Sequence, residues 1–216
     1  PTSSRRQRQM CIRDSTSSVQ IQRGLGSTSL AVPSAGGTVS VNTRAAEVDP
    51  GSGIKMSIGD NSYQKFTAFH NTGVNELGWS SSFLLGFWQG DGWRNGMQGE
   101  GTTYAFSVGY TPRGGNHEFN FSLIGAGQWH HQAYYGTQLQ DYLDYGPIQG
   151  DDYRKFNALY GDYQGEEFSI LRNYYNKPLA TFNWDWEISS RVTLATSLYG
   201  SAGRGGGTGL RGRGSY

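Results

Sequence analysis

A strict alternation between large apolar and small polar residues constrains this chain more than any other feature of its sequence. Across residues 103–111, aromatic and aliphatic side chains occupy the even positions, and threonine, alanine, serine and glycine occupy the odd ones. Neighbouring side chains of a strand point to opposite faces, so this period of two predicts a strand with one apolar face. Turn-forming residues follow at 112–116, and a second alternating segment runs from Phe119 to Trp129, with Ile124 out of phase.

The same alternation recurs along the rest of the chain. We predict seven strands after residue 50 and no helix, because no segment shows the period of an amphipathic helix. No apolar run approaches the length of about 18 residues that a transmembrane helix needs. An all-β fold is therefore expected. The five other predicted strands cover residues 54–58, 63–72 (where Phe69 breaks the phase), 79–87, 181–188 and 192–198.

The connections between these strands differ in length from one end of the predicted sheet to the other. If the first strand runs outward, the short turns fall at one end and the long loops at the other, which is typical of transmembrane β-barrels. A loop as long as 131–178 also counts against a compact soluble domain. The predicted turns at the short end are 73–76, 112–116 and 189–190, and the connections opposite them are 61–62, 90–101 and 131–178.

The composition of the two faces favours the same fold class. Aromatic residues make up 14% of the chain and glycine occurs 33 times, an excess that is unusual for a soluble domain. Small polar residues suit a wet lumen, whereas large apolar residues suit lipid. The alternative is a soluble β-sandwich with aromatic packing. Five aromatic residues near strand ends are predicted to form girdles: Trp79, Tyr104, Tyr110, Phe119 and Trp129.

Seven strands are too few to close a large barrel, and lipid does not tolerate open strand edges. We therefore predict a partial transmembrane antiparallel β-barrel, truncated at both ends. The formal net charge of +1 gives no electrostatic reason to expect nucleic acid as a partner.

The first fifteen residues are set apart from the fold prediction. Residues 1–15 carry several arginines and the single cysteine of the chain, Cys11, without any periodicity. They resemble a translated sequencing adaptor of the kind found at the ends of metagenomic reading frames, and the alternative is a basic disordered arm. One cysteine excludes an intrachain disulfide.

The segment 19–44 resembles the end of the plug domain of TonB-dependent outer-membrane receptors. In that family a strand ending in Arg-Gly leads through small residues to a Gly-Gly strand and then to Thr-Lys. The match is looser around Ser27 and Leu30, where the family often continues towards Tyr-Gly. The matching plug-motif residues are Arg23, Gly24, Gly36, Gly37 and Arg44, the last in place of the usual lysine.

The resemblance extends over about residues 19–216 and divides the chain into three parts. Residues 1–15 are the adaptor-derived or disordered segment. Residues 16–45 correspond to the C-terminal end of a plug, and 46–216 to the N-terminal part of a barrel of roughly 22 strands. The glycine- and arginine-rich tail from Gly203 looks like an extracellular loop of this family, and its rival interpretation is an RNA-binding segment.

The resemblance implies energised uptake and no enzymatic activity. In this family the plug blocks the lumen, an extracellular ligand binds between plug and loops, and the inner-membrane TonB complex pulls on the N-terminal region. The ligand is a siderophore, haem, cobalamin or a glycan. The implied location is the outer membrane of a Gram-negative bacterium, with membrane lipid as a partner and no cofactor. The alternatives are a plug-less porin or a barrel enzyme, and a soluble β-sandwich binding module.

Candidate ligand contacts lie in the predicted extracellular loops. Trp93 and Arg94 are candidates to stack on a sugar or hold an anionic ligand, and the alternative is that they pack their loop against the barrel rim.

A second set of candidates lies where the long loop begins. His130 and His131, beside Tyr134 and Tyr135, are candidates for metal or siderophore contact, or are interfacial aromatics. Adjacent residues of a strand point to opposite faces, so the two histidines are not expected to chelate one metal jointly.

The remaining polar residues suggest structure and not catalysis. Asn183, Asp185 and Glu187 are predicted to face the lumen, where the plug arginines Arg23 and Arg44 are candidate partners. The acidic residues of the long loop miss the EF-hand spacing and are predicted to be solvated, so no metal site is expected. No catalytic pair, zinc motif or dinucleotide fingerprint is present.

Overall fold

Antiparallel strand pairing organises most of the described chain. The computed structural model describes residues 18–23, 37–42, 44–133 and 136–209. Every strand pair within these ranges is antiparallel, in agreement with the predicted all-β fold. The strands are β1 Ser18–Arg23, β2 Gly37–Asn42, β3 Gly51–Ile58, β4 Gln64–Asn71, β5 Trp79–Gly90, β6 Gly99–Tyr110, β7 His117–Gly125, β8 Gln128–His131, β9 Tyr160–Tyr163, β10 Glu166–Ser169, β11 Arg172–Asn176, β12 Leu179–Ser189, β13 Val192–Ser201 and β14 Arg204–Gly207.

The central sheet contains ten strands, which form seven lines because three of the lines are interrupted and continue in a second strand. Its order is β13-β12-β7-β6-β5-β4-β3, and β8, β11 and β14 continue three of these strands. β7 and β8 keep one register against β6, since Tyr104 is opposite Gly125 and Gly101 is opposite Gln128. β11 continues into β12 across Pro178, which has no N–H for the ladder, and β13 continues into β14. The seven predicted strands are confirmed as lines of this sheet, with breaks that the alternation did not predict.

The two faces of the central sheet carry opposite kinds of side chain. Directly opposed residues of an antiparallel pair share a face, so the register assigns each side chain to one of them. The apolar face presents large side chains such as Phe83, Leu85 and Phe106, which are 40%, 57% and 44% exposed. The polar face buries small ones, and Ser82 and Ser107 are only 2% and 5% exposed. This is the reverse of the distribution expected for a soluble protein.

Three of the predicted girdle residues do lie together at strand ends. Trp79 begins β5, Tyr110 ends β6 and Phe119 lies near the start of β7. The Trp79 and Tyr110 rings stack with centroids 4.4 Å apart, and the Tyr110 and Phe119 centroids are 6.5 Å apart. Trp184 extends the row beyond Phe119 at 6.2 Å.

Tyr104 does not belong to a girdle, and this prediction was wrong. Strand β6 begins at Gly99, not near Thr103, so Tyr104 lies in the middle of the strand. The loop predicted for 90–101 shrinks to 91–98 for the same reason. Gly90 at the end of β5 and Gly99 at the start of β6 concealed this pairing, because glycines interrupt the alternation of side chains without interrupting the hydrogen-bond ladder.

The sheet has a short-turn end and a loop end. The turn predicted at 61–62 is confirmed, and Asn61 and Ser62 adopt φ angles of 57° and 56°, as a tight hairpin turn of type I′ requires. The connections at the short-turn end are 72–78, 111–116 and 190–191, and those at the loop end are 59–63, 91–98 and 132–171.

Residues 136–171 form a small substructure at the loop end. They contain a short helix, α1 (Leu139–Tyr145), 3-10 turns at Gly146–Ile148 and Tyr153–Lys155, and the hairpin β9–β10. Phe156 and Leu159 are 6% and 5% exposed, so this region has a small core. The expectation of no helix was therefore wrong for this segment. Its acidic side chains are exposed or half-buried, in agreement with the prediction that they are solvated.

No helix in the described ranges is long and apolar enough to cross a membrane.

The two strands expected from the plug-like segment pair with each other. Arg23, the last residue of β1, is opposite Gly37, the first residue of β2. Gly24, Gly36 and residues 1–15 lie outside the described part of the chain. A third 3-10 turn, Ala45–Glu47, then leads towards β3.

We expect Gly78→Ala to destabilise the chain by about 2–3 kcal/mol. Gly78 has a φ of 85°, and an added Cβ would lie 2.0 Å from the carbonyl oxygen of Thr111. Gly165 also has a positive φ, 83°, but open space around it, so Gly165→Ala measures the backbone strain without the close contact. Gly51 has neither a positive φ nor a close neighbour. Urea-unfolding midpoints should therefore fall most for Gly78→Ala, less for Gly165→Ala and least for Gly51→Ala. Equal midpoints for the first two would contradict the close contact.

Candidate functional site

The segment that precedes the sheet is anchored on the polar face at the short-turn end. The turn Ala45–Glu47 contacts β5 and β6. Ala45 is completely buried, and its backbone N–H donates to Asn120 Oδ1 at 3.2 Å. Gly109 lies beneath, where an added Cβ would come within 3.7 Å of the Ala46 nitrogen. The small residues of this face therefore leave room for the chain to cross it.

Arg44 joins this segment to two strands through a pair of carboxylates. Its Nη1 lies 3.1 Å from Glu118 Oε1 and its Nη2 lies 2.6 Å from Asp185 Oδ2. Glu118 and Asp185 are directly opposite each other in the β7–β12 ladder. Like charges in this position repel, so the guanidinium compensates a repulsion that the register creates. Burial opposes the charged form of Arg44, but its hydrogen bond to Asp185 and the attraction of both carboxylates raise its pKa.

The predicted contact between Arg44 and Asp185 is thus found. Glu118 was not predicted as a partner, although its parity places it on the same face as Asn120. Asn183 instead accepts a hydrogen bond from the Ser197 hydroxyl at 2.8 Å. The side chain of Arg23 lies outside the described part of the structure.

A hydroxyl and amide network supports the same region. Ser107 Oγ donates to Asn120 Oδ1 at 3.1 Å, and Asn120 Nδ2 donates to Ser122 Oγ at 3.0 Å. All three side chains are at most 5% exposed. A buried polar network of this kind is stabilising only when its members find partners, so it fixes the rotamer of Asn120 that receives the Ala45 N–H.

A cleft of about 520 Å³, which we call the rim cleft, lies at the loop end. Trp93 and Arg94, the candidate ligand contacts of the loop 91–98, line it together with Lys155 and Glu167 from the long loop. Trp93 is 53% exposed, and the Arg94 guanidinium lies 5.8 Å from the centroid of the Tyr142 ring. Each alternative from the sequence therefore describes one of the two residues. Arg94 packs against the loop, whereas Trp93 is exposed to solvent and accessible to a ligand.

Asn157 holds the two loops around the rim cleft together. It is 1% exposed, its Nδ2 donates to the Asn95 carbonyl at 2.9 Å, and its backbone N–H donates to Gln149 Oε1 at 3.0 Å. Gly96 makes the closest approach, since an added Cβ there would lie 2.0 Å from the Tyr160 ring. The contacts of Asn157 with Asn95 and of Tyr160 with Gly96 join residues that are about sixty positions apart, which explains why sequence patterns did not reveal them.

The two histidines at the end of β8 point to opposite faces, as predicted. His130 is opposite Gly99 on the polar side, while the His131 ring lies 5.3 Å from that of Trp129 on the other side. The structure does not describe Tyr134 and Tyr135. Among the described residues, no group of three or more His, Cys, Asp or Glu side chains is arranged to hold a metal ion.

Two candidate sites therefore lie at opposite ends of the sheet. One is the Arg44 cluster, formed by Arg44, Glu118 and Asp185, and the other is the rim cleft. No protein-family model, curated protein or solved structure matches the chain. A function must therefore be proposed from these two sites and from the faces of the sheet that connects them.

We expect Arg44→Gln to destabilise the chain by about 1–2 kcal/mol, because it leaves Glu118 and Asp185 opposed without compensation. The cluster is partly exposed, so the effect should be smaller than for a fully buried pair. Arg113→Gln is the control, since its contact with Glu76 is 3.9 Å long and well exposed, and it should change the free energy of unfolding by less than about 0.5 kcal/mol.

Neutralising both carboxylates should rescue the Arg44 variant. In an Arg44→Gln background, Glu118→Gln with Asp185→Asn removes the repulsion and should restore most of the lost stability. An unchanged loss in this triple variant would mean that the ion pairs are not the reason for the effect.

Proposed function

We propose that this chain belongs to a TonB-dependent outer-membrane receptor that takes up a scarce extracellular ligand, such as a siderophore, haem, cobalamin or a glycan. The main support for the proposal is the distribution of side chains on the central sheet, where the large apolar side chains are exposed and the small polar ones are buried. Soluble monomers rarely expose a continuous apolar surface that extends across a whole sheet. A sheet with lipid on one side and water on the other needs this arrangement.

The spacing of the aromatic rows supports a membrane-spanning role. Tyr110 is opposite Trp79 in the row at the short-turn end. At the loop end, Trp129 is opposite Tyr174 on one side and Glu100 on the other, so ten residues of β6 separate the two rows. At about 3.3 Å per residue this is about 33 Å along the strand. A strand tilt of about 45° reduces it to about 23 Å of height, close to the apolar band of about 25 Å in such barrels.

The distribution of charge between these rows supports the same proposal. In the described strands β3 to β7, β12 and β13, no Asp, Glu, Lys or Arg lies on the apolar face between the two rows. The charged side chains of these strands lie on the polar face or at the rows themselves, as Lys55 and Asp185 illustrate. Charges at membrane depth cost about 2–4 kcal/mol on the lipid side and little in a lumen.

The Arg44 cluster favours a receptor over a plug-less porin. The resemblance implies that a plug precedes the barrel, and the segment that would connect them crosses the polar face and is tied to it at the short-turn end. The rim cleft lies at the other end, where an extracellular ligand would arrive. A soluble sandwich needs a second layer over the apolar face, and no described element provides one.

We expect the full-length protein to fractionate with the outer membrane and Gly200→Arg to reduce its insertion strongly. Gly200 lies midway between the aromatic rows, in line with Ala180, Leu123 and Phe106 on the apolar face, and has open space around it. An arginine there has no steric cost but would cost about 2–4 kcal/mol in lipid. Outer-membrane yield and heat-modifiable gel mobility measure the effect.

Tyr199→Arg is the matched control for this experiment. Tyr199 is the neighbouring residue, is 77% exposed and is opposite Thr181 on the polar face, so the same charge there should be tolerated. Equal yields for the two arginine variants, or recovery of the unchanged protein from the soluble periplasm, would contradict a lipid-facing sheet.

Energised uptake has its own test. Cells that lack TonB and cells that lack this protein should lose uptake of the same nutrient, which growth on limiting iron, haem, cobalamin or glycan sources would reveal. A passive porin would continue to work without TonB, so uptake that depends on this protein but not on TonB would support the porin alternative instead.

A further inference from the structure

A second and larger cavity lies between helix α1 and the hairpin β9–β10. It has a volume of about 770 Å³, and we call it the hairpin cleft. Three aromatic rings and three carboxylates line it, and no Lys or Arg is among its described lining residues. The rings belong to Tyr145, Phe156 and Tyr160, and the carboxylates to Asp141, Asp162 and Glu167.

The aromatic wall is firmly held. Phe156 is 6% exposed and contacts Tyr142 edge-on at 5.8 Å and Tyr145 at 6.3 Å. Tyr160 packs against Gly96 on its far side. Tyr145 is 54% exposed, so it offers a ring surface to a ligand while Phe156 stays fixed behind it. The cleft is therefore formed before any ligand arrives.

The carboxylates keep hydrogen-bonding capacity after their internal bonds are made. Asp141 Oδ2 accepts the Gln138 backbone N–H at 3.0 Å, and Asp162 Oδ1 accepts that of Gly165 at 2.8 Å. An ionised carboxylate has about four acceptor positions, so each retains several. Burial, and then a hydrogen bond to Glu167, raise the pKa of Tyr160, which therefore stays neutral.

This lining selects the charge and the kind of ligand. Three negative groups without a lining cation disfavour anions such as phosphates or carboxylates. The carboxylates are also not arranged as a metal site, since no metal-binding group of three is found among the described residues. A positive charge attached to an apolar body suits both parts of the lining, because aromatic faces attract organic cations.

We propose that the hairpin cleft binds an organic cation, an ammonium or guanidinium group carried on an apolar or aromatic body. The cation lies between Asp162 and Glu167, and the body lies on Tyr145. This goes beyond the proposed uptake function and does not depend on it, because the cleft is formed by the loop structure whether or not the sheet spans a membrane.

The test is binding of three small probes to the purified full chain in detergent micelles, measured by calorimetry. Benzyltrimethylammonium should bind at least about tenfold more tightly than phenylacetate, with benzyl alcohol between them. Asp162→Asn and Glu167→Gln should each weaken the cation by about two- to fivefold, and Tyr145→Leu by a similar factor. Both carboxylate variants retain an acceptor oxygen for their internal hydrogen bonds, so the fold should survive.

Asp144→Asn is the matched control. Asp144 lies on the same helix, accepts a hydrogen bond from Gln140 and does not line the cleft, so cation affinity should stay unchanged. An equal loss of cation affinity in the Asp144→Asn control would mean that the effect comes from the overall charge of the protein, and it would overturn the proposal. Tighter binding of phenylacetate or benzyl alcohol than of the cation, or full cation affinity in an Asp162→Asn/Glu167→Gln variant, would also overturn it.

Discussion

One hydrogen-bond register runs through the seven lines of the central sheet, and the candidate features depend on it. Side chains alternate with a period of two, so a slip of one residue between neighbouring strands would move a whole set of aromatic residues to the polar face. The same register places Glu118 opposite Asp185 and thereby creates the negative site that Arg44 occupies. Turns that tolerate few substitutions, such as the one at Gly78, help to fix this register at the short-turn end.

The parts of the fold that could be predicted are those encoded by neighbouring residues. Alternation is a local signal, and it identified the seven strand lines and the faces of residues such as Phe106 and Ser107 correctly. It failed where the strand contains glycine, as at Gly99, because a missing side chain hides the phase while the backbone still pairs. It also failed in the loop region, where Phe156 packs against Tyr142 and Tyr145 and the neighbouring Asn157 bonds to a distant loop, because these contacts follow no period.

The candidate sites were predictable to different degrees for the same reason. Arg44 and Asp185 could be matched because Asp185 stood out as a charge on a face of small residues and Arg44 as a charge of the plug-like segment. Glu118 required knowledge of which strands are neighbours, since β7 and β12 are separated by the whole long loop. Trp93 and Arg94 were visible as an exposed aromatic beside a cation, whereas Lys155 joins them only through the fold. Sites formed by residues of one segment can be predicted from the sequence, whereas sites formed between distant segments can be predicted only once the strand pairing is known.

The rim cleft and the turn that follows Arg44 lie at the two ends of a single hairpin. Strands β5 and β6 pair without a bulge from Trp79 opposite Tyr110 to Gly90 opposite Gly99. The turn that carries Ala45 contacts these strands at the short-turn end, and the loop that carries Trp93 joins them at the other. Both strands are also paired with outer neighbours, so neither can slide along its axis without breaking two ladders. A change at the rim cleft therefore cannot travel along this hairpin as a register shift, because such a shift would reverse the faces on which the sheet depends.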